Sequence, residues 1–356
     1  EQEENCISTE KLRDIGKFIT TYCDEYKIAN ISVQAWGGEP LLEKNKIIAL
    51  TKFITPQKTK VHYSIETNAT LLTNDVIEEL YKNHIGIGIS IDGDRKCHDL
   101  QRTFVSGKGS YDTVKKNLLQ AQRYYKNKIG TITTITKQTA VHIEKIIEHL
   151  VLDLHISNIK LNFVHASTYT HGQNQCLNTQ EIADTELRIL YKIIELQERG
   201  YDVMEHNIFI KLKNLLFREY ADICLSCGCC GGKKMIVFDM DGNIYPCELT
   251  DDASFVIGSI YKKESLIEQI KMTIDKDKAF FKMKKAVECE KCYWKFFCRG
   301  GCTVRALSEK RQMEVIDIDH IECAINQVLY PALMELVLRK PHIVNQMLGE
   351  DLLVDE

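Results

Sequence analysis

Hydrophobic positions along the first half of the chain alternate between two periods, and the alternation sets the expected fold. Leu12, Ile15, Phe18, Ile19 and Tyr22 recur at helical spacing over residues 9–26, with Ser8 or Thr9 placed to cap the first turn. A short apolar run over residues 31–36 then reads as a strand and stops at Gly37-Gly38-Glu39-Pro40. The same switch repeats. Strands are expected at residues 60–67, 86–91, 129–136 and 158–164. Helices are expected at residues 74–83 and 111–126, around Val141 to Leu150, and from Asn178 to Gly200. Asn178 and Glu181 have the spacing of a capping box, and Gly200 is a natural stop.

Strand–helix alternation implies parallel strands joined by right-handed crossovers. The expected class is α/β, and five repeats suit a partial or closed (β/α) barrel better than a doubly wound sheet. No G-x-G-x-x-G follows a strand and no phosphate-binding P-loop occurs, so neither common nucleotide site is supported. In barrels the chemistry gathers where strands end. Here the strand ends are Gly37-Gly38-Glu39-Pro40, Glu66-Thr67-Asn68 and Ser90-Ile91-Asp92-Gly93. Each alone reads as turn punctuation; together they form one polar rim.

Composition sharpens this picture in one respect. The 356 residues are 44% hydrophobic and 27% charged with net charge -4, ordinary for a globular chain and unsuited to nucleic acid as main partner. No stretch is expected to span a bilayer, and the acidic start lacks a secretory layout. Cysteine is the outlier: ten of 14 lie between Cys224 and Cys323. Crowding such as Cys227, Cys229 and Cys230 cannot staple distant loops, so metal or cluster binding in a reducing cytoplasm is expected. The pattern Cys289-x2-Cys292-x5-Cys298-x3-Cys302, then Cys323, follows Gly242-x4-Cys247 and an upstream group with Cys224 and Cys230. Residues 236–247 read as a β-hairpin across Asp241-Gly242 that returns Cys247 beside Cys230. Spacing alone leaves tetrahedral zinc and iron–sulfur both open.

The rim residues carry a family resemblance. Trp36-Gly37-Gly38-Glu39-Pro40-Leu41-Leu42 resembles the GGEP motif of radical S-adenosylmethionine (SAM) enzymes. Thr67-Asn68-Ala69-Thr70-Leu71-Leu72 resembles their next strand end, and Ser90-Ile91-Asp92-Gly93 with His98, Asp99 and Arg102 a third signature. The cysteines of residues 224–323 resemble those of the SPASM domain. The resemblance implies a partial barrel over residues 1–205, a SPASM domain over 206–325 and a helical segment over 326–356. It implies SAM held by Gly37, Gly38 and Glu39 at its amino group, with Asn68 on the same rim. Ser90 and Asp92 would lie near its ribose, and Arg102 or Lys116 would meet its carboxylate. It implies two auxiliary [4Fe–4S] clusters, one on Cys224, Cys230, Cys247 and Cys302, the other on Cys289, Cys292, Cys298 and Cys323. Cys227 or Cys229 could replace a neighbour in the first set.

The family's Cys-x3-Cys-x2-Cys loop, which holds its catalytic [4Fe–4S] cluster, does not occur in these residues. A missing initiating Met and first strand lead us to expect truncation rather than degeneracy. The implied activity is hydrogen abstraction from a precursor peptide or protein, with a reductase, flavodoxin or ferredoxin as electron donor. Gly107-Lys108-Gly109-Ser110-Tyr111-Asp112 and Cys230-Gly231-Gly232 resemble ribosomal-peptide maturases that install crosslinks. The alternative is an anaerobic sulfatase-maturating enzyme making formylglycine, where an Asp after the hairpin cysteine acts as base; Glu248 stands there and is the candidate catalytic residue. A non-catalytic, metal-stabilised peptide-binding scaffold is the reading of another class. The lysines of residues 271–285 are expected to form a solvated face that could also attract an acidic leader.

Overall fold

The computed structural model describes residues 6–165, 172–217, 229–250, 253–275, 287–310 and 318–349. Helix α1 (Thr9–Glu25) begins at Ser8, whose hydroxyl accepts from the Lys11 amide at 3.2 Å. Strands β1 (Asn30–Ala35), β2 (Lys60–Thr67), β3 (Ile85–Ser90), β4 (Gly130–Ile135), β5 (Asn158–Phe163) and β6 (Met204–Glu205) form one sheet in chain order, every pair parallel. Between them run α2 (Lys44–Phe53), α3 (Asn74–Lys82), α4 (Arg95–Gln101), α5 (Tyr111–Tyr125), α6 (Lys137–Ala140), α7 (Ile143–Glu148) and α8 (Thr179–Glu198); α9 (His206–Phe217) follows β6.

The strand order excludes a doubly wound sheet, which must reverse direction at a switch point. Stepping one strand at a time with right-handed crossovers places all the helices on one face and leaves the other concave: an open barrel. Burial agrees. Ile85, Ile87 and Ile89 are buried in the helix-side core, whereas Gly86, Gly88 and Ser90 alternate onto the opposite, half-exposed face. The capping box of α8 is present, with Asn178 and Glu181 each bonded to the other's backbone amide.

The hairpin forms as the sequence predicts: β7 (Val237–Phe238) pairs antiparallel with β8 (Asn243–Tyr245), and β9 (Gly258–Ser259) adds a third strand. Its turn needs Gly242, whose φ is +80°. This small sheet packs on α1. Phe18 meets Phe238 edge-on at 5.8 Å, and Lys11 pairs with Asp241 at 2.8 Å.

One expectation needs correction. The helix His320–Arg339, at 20 residues and mean hydropathy 1.3, is long and apolar enough to cross a membrane by length and composition. Here it packs along α8, burying Leu329, Tyr330, Leu333 and Leu336 in the barrel's own core cluster or beside it. The Pro341–Leu348 helix adds Ile343, Val344 and Met347 to the same core. Most of the lysine-rich stretch at residues 271–285 lies outside the described residues.

Candidate functional site

At the end of β1, Gly37 and Gly38 are exposed, and a Cβ added to either would meet nothing within 4 Å. Their backbone is free to be approached closely. Glu39 does different work. Its carboxylate accepts from the Leu41 amide at 3.0 Å, the Thr67 hydroxyl at 2.6 Å and the Asn68 amide at 2.8 Å. The side chain therefore ties the end of β1 to the end of β2, and the Gly37-Gly38 backbone is what the loop offers to a ligand. Asn68 is likewise committed at its amide oxygen, which accepts from Thr70 backbone and hydroxyl at 2.9 and 2.7 Å. The following Ala69 is fully buried with φ +57°, a costly conformation for a residue with a Cβ. Asn117 on α5 helps hold it, donating to the Ala69 carbonyl at 2.7 Å.

At the end of β3, Asp92 and Arg102 are brought together rather than presented separately. Asp92 is 1% exposed. It accepts from Arg102 Nε at 2.7 Å, Gln101 Nε2 at 2.9 Å and the Thr134 amide at 2.9 Å. A carboxylate so occupied fastens α4 and β4 to the end of β3; its direct contact with a ribose, and Arg102's with a SAM carboxylate, would have to share these partners. His98 completes the support: Nδ1 accepts from the Asp92 amide at 3.2 Å, which leaves Nε2 to donate to Ser110 Oγ at 3.0 Å. Burial holds His98 neutral, lowering its pKa to about 4. Ser90 stays on the concave face, in register with Ile132.

Lys116 is not brought to the rim. It lies on the exposed side of α5, whose opposite face (Val114, Asn117, Leu118, Ala121) is buried, and no hydrogen bond among the described residues joins it to the strand-end residues. This placement gives its assignment to a SAM carboxylate no support.

Sequence reasoning misses Gln101, Thr134 and the two inward glycines of β3. The glycines had a signal, Ile85-Gly86-Ile87-Gly88-Ile89, in which every second side chain is missing from one face. A Cβ on Gly88 would sit 3.2 Å from Ile132 and 3.4 Å from Glu66. Gln101 Oε1 is buried with no hydrogen-bond donor among the described residues. A rim with accessible backbone after β1, a hydroxyl after β3 and an unpaired acceptor beside it fits a ligand carrying an ammonium and ribose hydroxyls, as SAM does.

The cysteines gather into two neighbourhoods. Gly232 donates to the Pro246 carbonyl at 3.0 Å, setting the buried Cys230 turn beside Cys247 as the hairpin predicts. Cys302 lies within electrostatic reach of Cys229 and of Cys247. Cys323 feels Cys289 and Cys292. Cys224 and Cys227 lie outside the described residues. Among the described residues no three Cys, His, Asp or Glu side chains are close enough to grip one ion. Burial raises the pKa of Cys247, Cys298, Cys302 and Cys323, so without metal they are protonated thiols, and loading releases protons. Glu248 is exposed, and its Oε2 accepts from the Cys247 thiol at 3.3 Å.

Comparison with known proteins bears on this arrangement. Residues 10–150 match the model of the radical SAM superfamily. The chain is 26% identical over 273 residues to a cysteine-type anaerobic sulfatase-maturating enzyme of Clostridium novyi (strain NT), covering 75% of this chain and 71% of that protein. It is 23% identical over 313 residues to the radical SAM cyclopropyl synthase TigE of Paramaledivibacter caminithermalis, covering 86% of this chain and 60% of that one. Its fold matches that of native anSMEcpe with bound AdoMet and Cp18Cys peptide at a TM-score of 0.79, with 21% identity, over 97% of this chain and 92% of that chain.

Proposed function

Because residues 10–150 are a radical SAM domain and the chain is homologous to the anaerobic sulfatase-maturating enzymes, we propose that it serves the oxidation of a cysteine or serine in a peptide segment to formylglycine. Formylglycine formation thus moves ahead of crosslinking, the activity first expected from the sequence. The carrying observation is the likeness to sulfatase-maturating enzymes along both halves, including a hairpin whose Cys247 is followed by a carboxylate.

On this reading the Gly37-Gly38 backbone binds the SAM ammonium, and Ser90 and Gln101 face its ribose hydroxyls. Glu39, Asp92 and His98 hold those loops in shape. The auxiliary clusters, when bound by the two cysteine neighbourhoods, supply one-electron acceptance. For a cysteine substrate, SAM given one electron by a reductant and releasing methionine would supply the acceptor for one hydrogen atom from Cβ, an auxiliary cluster would take one electron, and Glu248 would take the thiol proton. The thioaldehyde left behind is hydrolysed to the aldehyde with loss of hydrogen sulfide. Thiolate-rich sites suit a reducing compartment such as the cytoplasm.

Crosslinking of a precursor peptide is the second reading, favoured by the likeness to the cyclopropyl synthase over most of this chain. The test uses protein isolated from its native cells, reduced and given SAM with a cysteine-containing peptide. We expect 5′-deoxyadenosine together with a peptide aldehyde trapped by a hydrazide. A cyclised peptide without aldehyde would replace formylglycine formation with crosslinking. Intact SAM after reduction, beside a positive-control enzyme, would overturn radical chemistry and leave the binding scaffold.

A further inference from the structure

We propose that Asp319 is a positioning residue that fixes the Cys298–Cys302 loop against the helix turn bearing Cys323, making one buried joint for both cysteine neighbourhoods. The proposal rests on the reading of these cysteines as ligands of two clusters.

Asp319 is 3% exposed and stands at the N-cap of the His320–Arg339 helix. Its two carboxylate oxygens have separate tasks. Oδ1 accepts from the Glu322 amide at 3.2 Å, which holds the first helical turn, while its backbone carbonyl accepts from the Cys323 amide at 2.8 Å. Oδ2 accepts from the Cys302 amide at 2.7 Å and from Arg305 at 2.7 and 3.1 Å. A helix cap needs only the first set. The second reaches a residue 17 positions earlier in the chain, on the other side of the cysteine pattern.

The loop is shaped to meet it. Arg299, Gly300 and Gly301 all have positive φ, at 54°, 91° and 69°. A Cβ on Gly301 would lie 2.7 Å from Asp319 Oδ2 and 3.0 Å from Glu322 Cβ. Only glycine lets the backbone close on the carboxylate. Arg305 then spans Asp319 and Glu322, and Glu322 pairs with Lys211 of α9, so two acids and two bases are balanced in the joint and tie it to the barrel. One turn past Cys323, Gln327 Nε2 approaches Cys292 Sγ at 3.6 Å, extending the same helix's reach to the second neighbourhood. Because Cys302 is assigned to the first set and Cys323 to the second, a shift at Asp319 moves a ligand of each. Residues of this kind set ligand geometry and tune metal centres without touching them.

The test is isosteric. Asparagine keeps the shape but offers one acceptor oxygen where aspartate offers two, and it drops the charge that holds Arg305 against both Asp319 and Glu322, so Asp319→Asn loosens the joint on the Cys302 side and on the helix side together. Anaerobically reconstituted wild type, Asp319→Asn, Cys302→Ala and Cys323→Ala are compared by iron and acid-labile sulfide content and by redox titration followed by electron paramagnetic resonance. Cys302→Ala and Cys323→Ala identify which signal belongs to which set. We expect Asp319→Asn to keep the wild-type far-ultraviolet circular dichroism while both signals are lost or shifted in potential. Two signals at wild-type potentials, or disturbance of one alone, would overturn the joint. If Asp319→Asn does not fold, Gly301→Ala probes the same contact from the loop side: loss or shift of both signals supports the joint, and anything less overturns it. A wild type without sulfide-bearing clusters overturns the underlying reading instead, so the two failures are distinct.

Discussion

His98 shows how the chemistry of one residue is set by its surroundings. It is fully buried, accepts from the Asp92 amide and donates to Ser110, an arrangement that only the neutral ring can make. Burial lowers its pKa to about 4 from an ordinary value of 6.5, the Asp92 charge opposing the shift. The folded protein therefore binds fewer protons than the unfolded chain between those values. Stability should fall as pH drops through that window, by up to about 1.4 kcal/mol per unit from this group. His98→Asn keeps an acceptor for the Asp92 amide and cannot titrate. Its thermal midpoint should start below wild type at neutral pH and decline less steeply toward pH 4. A variant whose midpoint declines as steeply as wild type's would show that another group governs acid stability. The sequence marks His98 only as part of a motif; its role depends on Ser110, twelve residues away, and spacing does not reveal that pairing.

At the scale of elements, α9 and the His320–Arg339 helix are joined by charges in the interior. Lys211 is 1% exposed and contacts Glu322 and Asn326, the latter at 2.7 Å, while Asn214 donates to the Tyr330 hydroxyl at 3.1 Å. Removing Lys211 leaves two buried acids, Asp319 and Glu322, to share Arg305 alone. Lys211→Met should cost about 3–5 kcal/mol, and adding Glu322→Gln should restore part of it. Denaturant unfolding of the single and double variants measures this, and purely additive losses would count against a coupled pair. The regular strands were legible because apolar alternation has a period of two, and β2 runs over residues 60–67 as expected. The two-residue β6 carries too little pattern to register, and α4 hides inside what reads as a loop motif. The α9 contact joins residues more than a hundred positions apart, a separation at which periodicity is silent.

For the whole molecule, the rim and the cysteines divide the work between two places in the chain. The strand-end residues were visible as polar punctuation, but who holds whom was not: Glu39 proves a brace between strands, Asp92 and Arg102 a pair, and Lys116 an outward residue. The hairpin that carries Cys247 was legible from its Asp241-Gly242 turn, while the grouping of the cysteines into two ligand sets stays a proposal. The proposed chemistry depends on those two groups binding iron–sulfur clusters. The measurement that tests it most directly is the iron, acid-labile sulfide and zinc content of the anaerobically reconstituted chain. Two auxiliary clusters predict about eight iron and about eight sulfide per chain from these cysteines, with little zinc. Zinc bound in place of iron, with no sulfide, would contradict cluster binding and return the cysteines to a structural role.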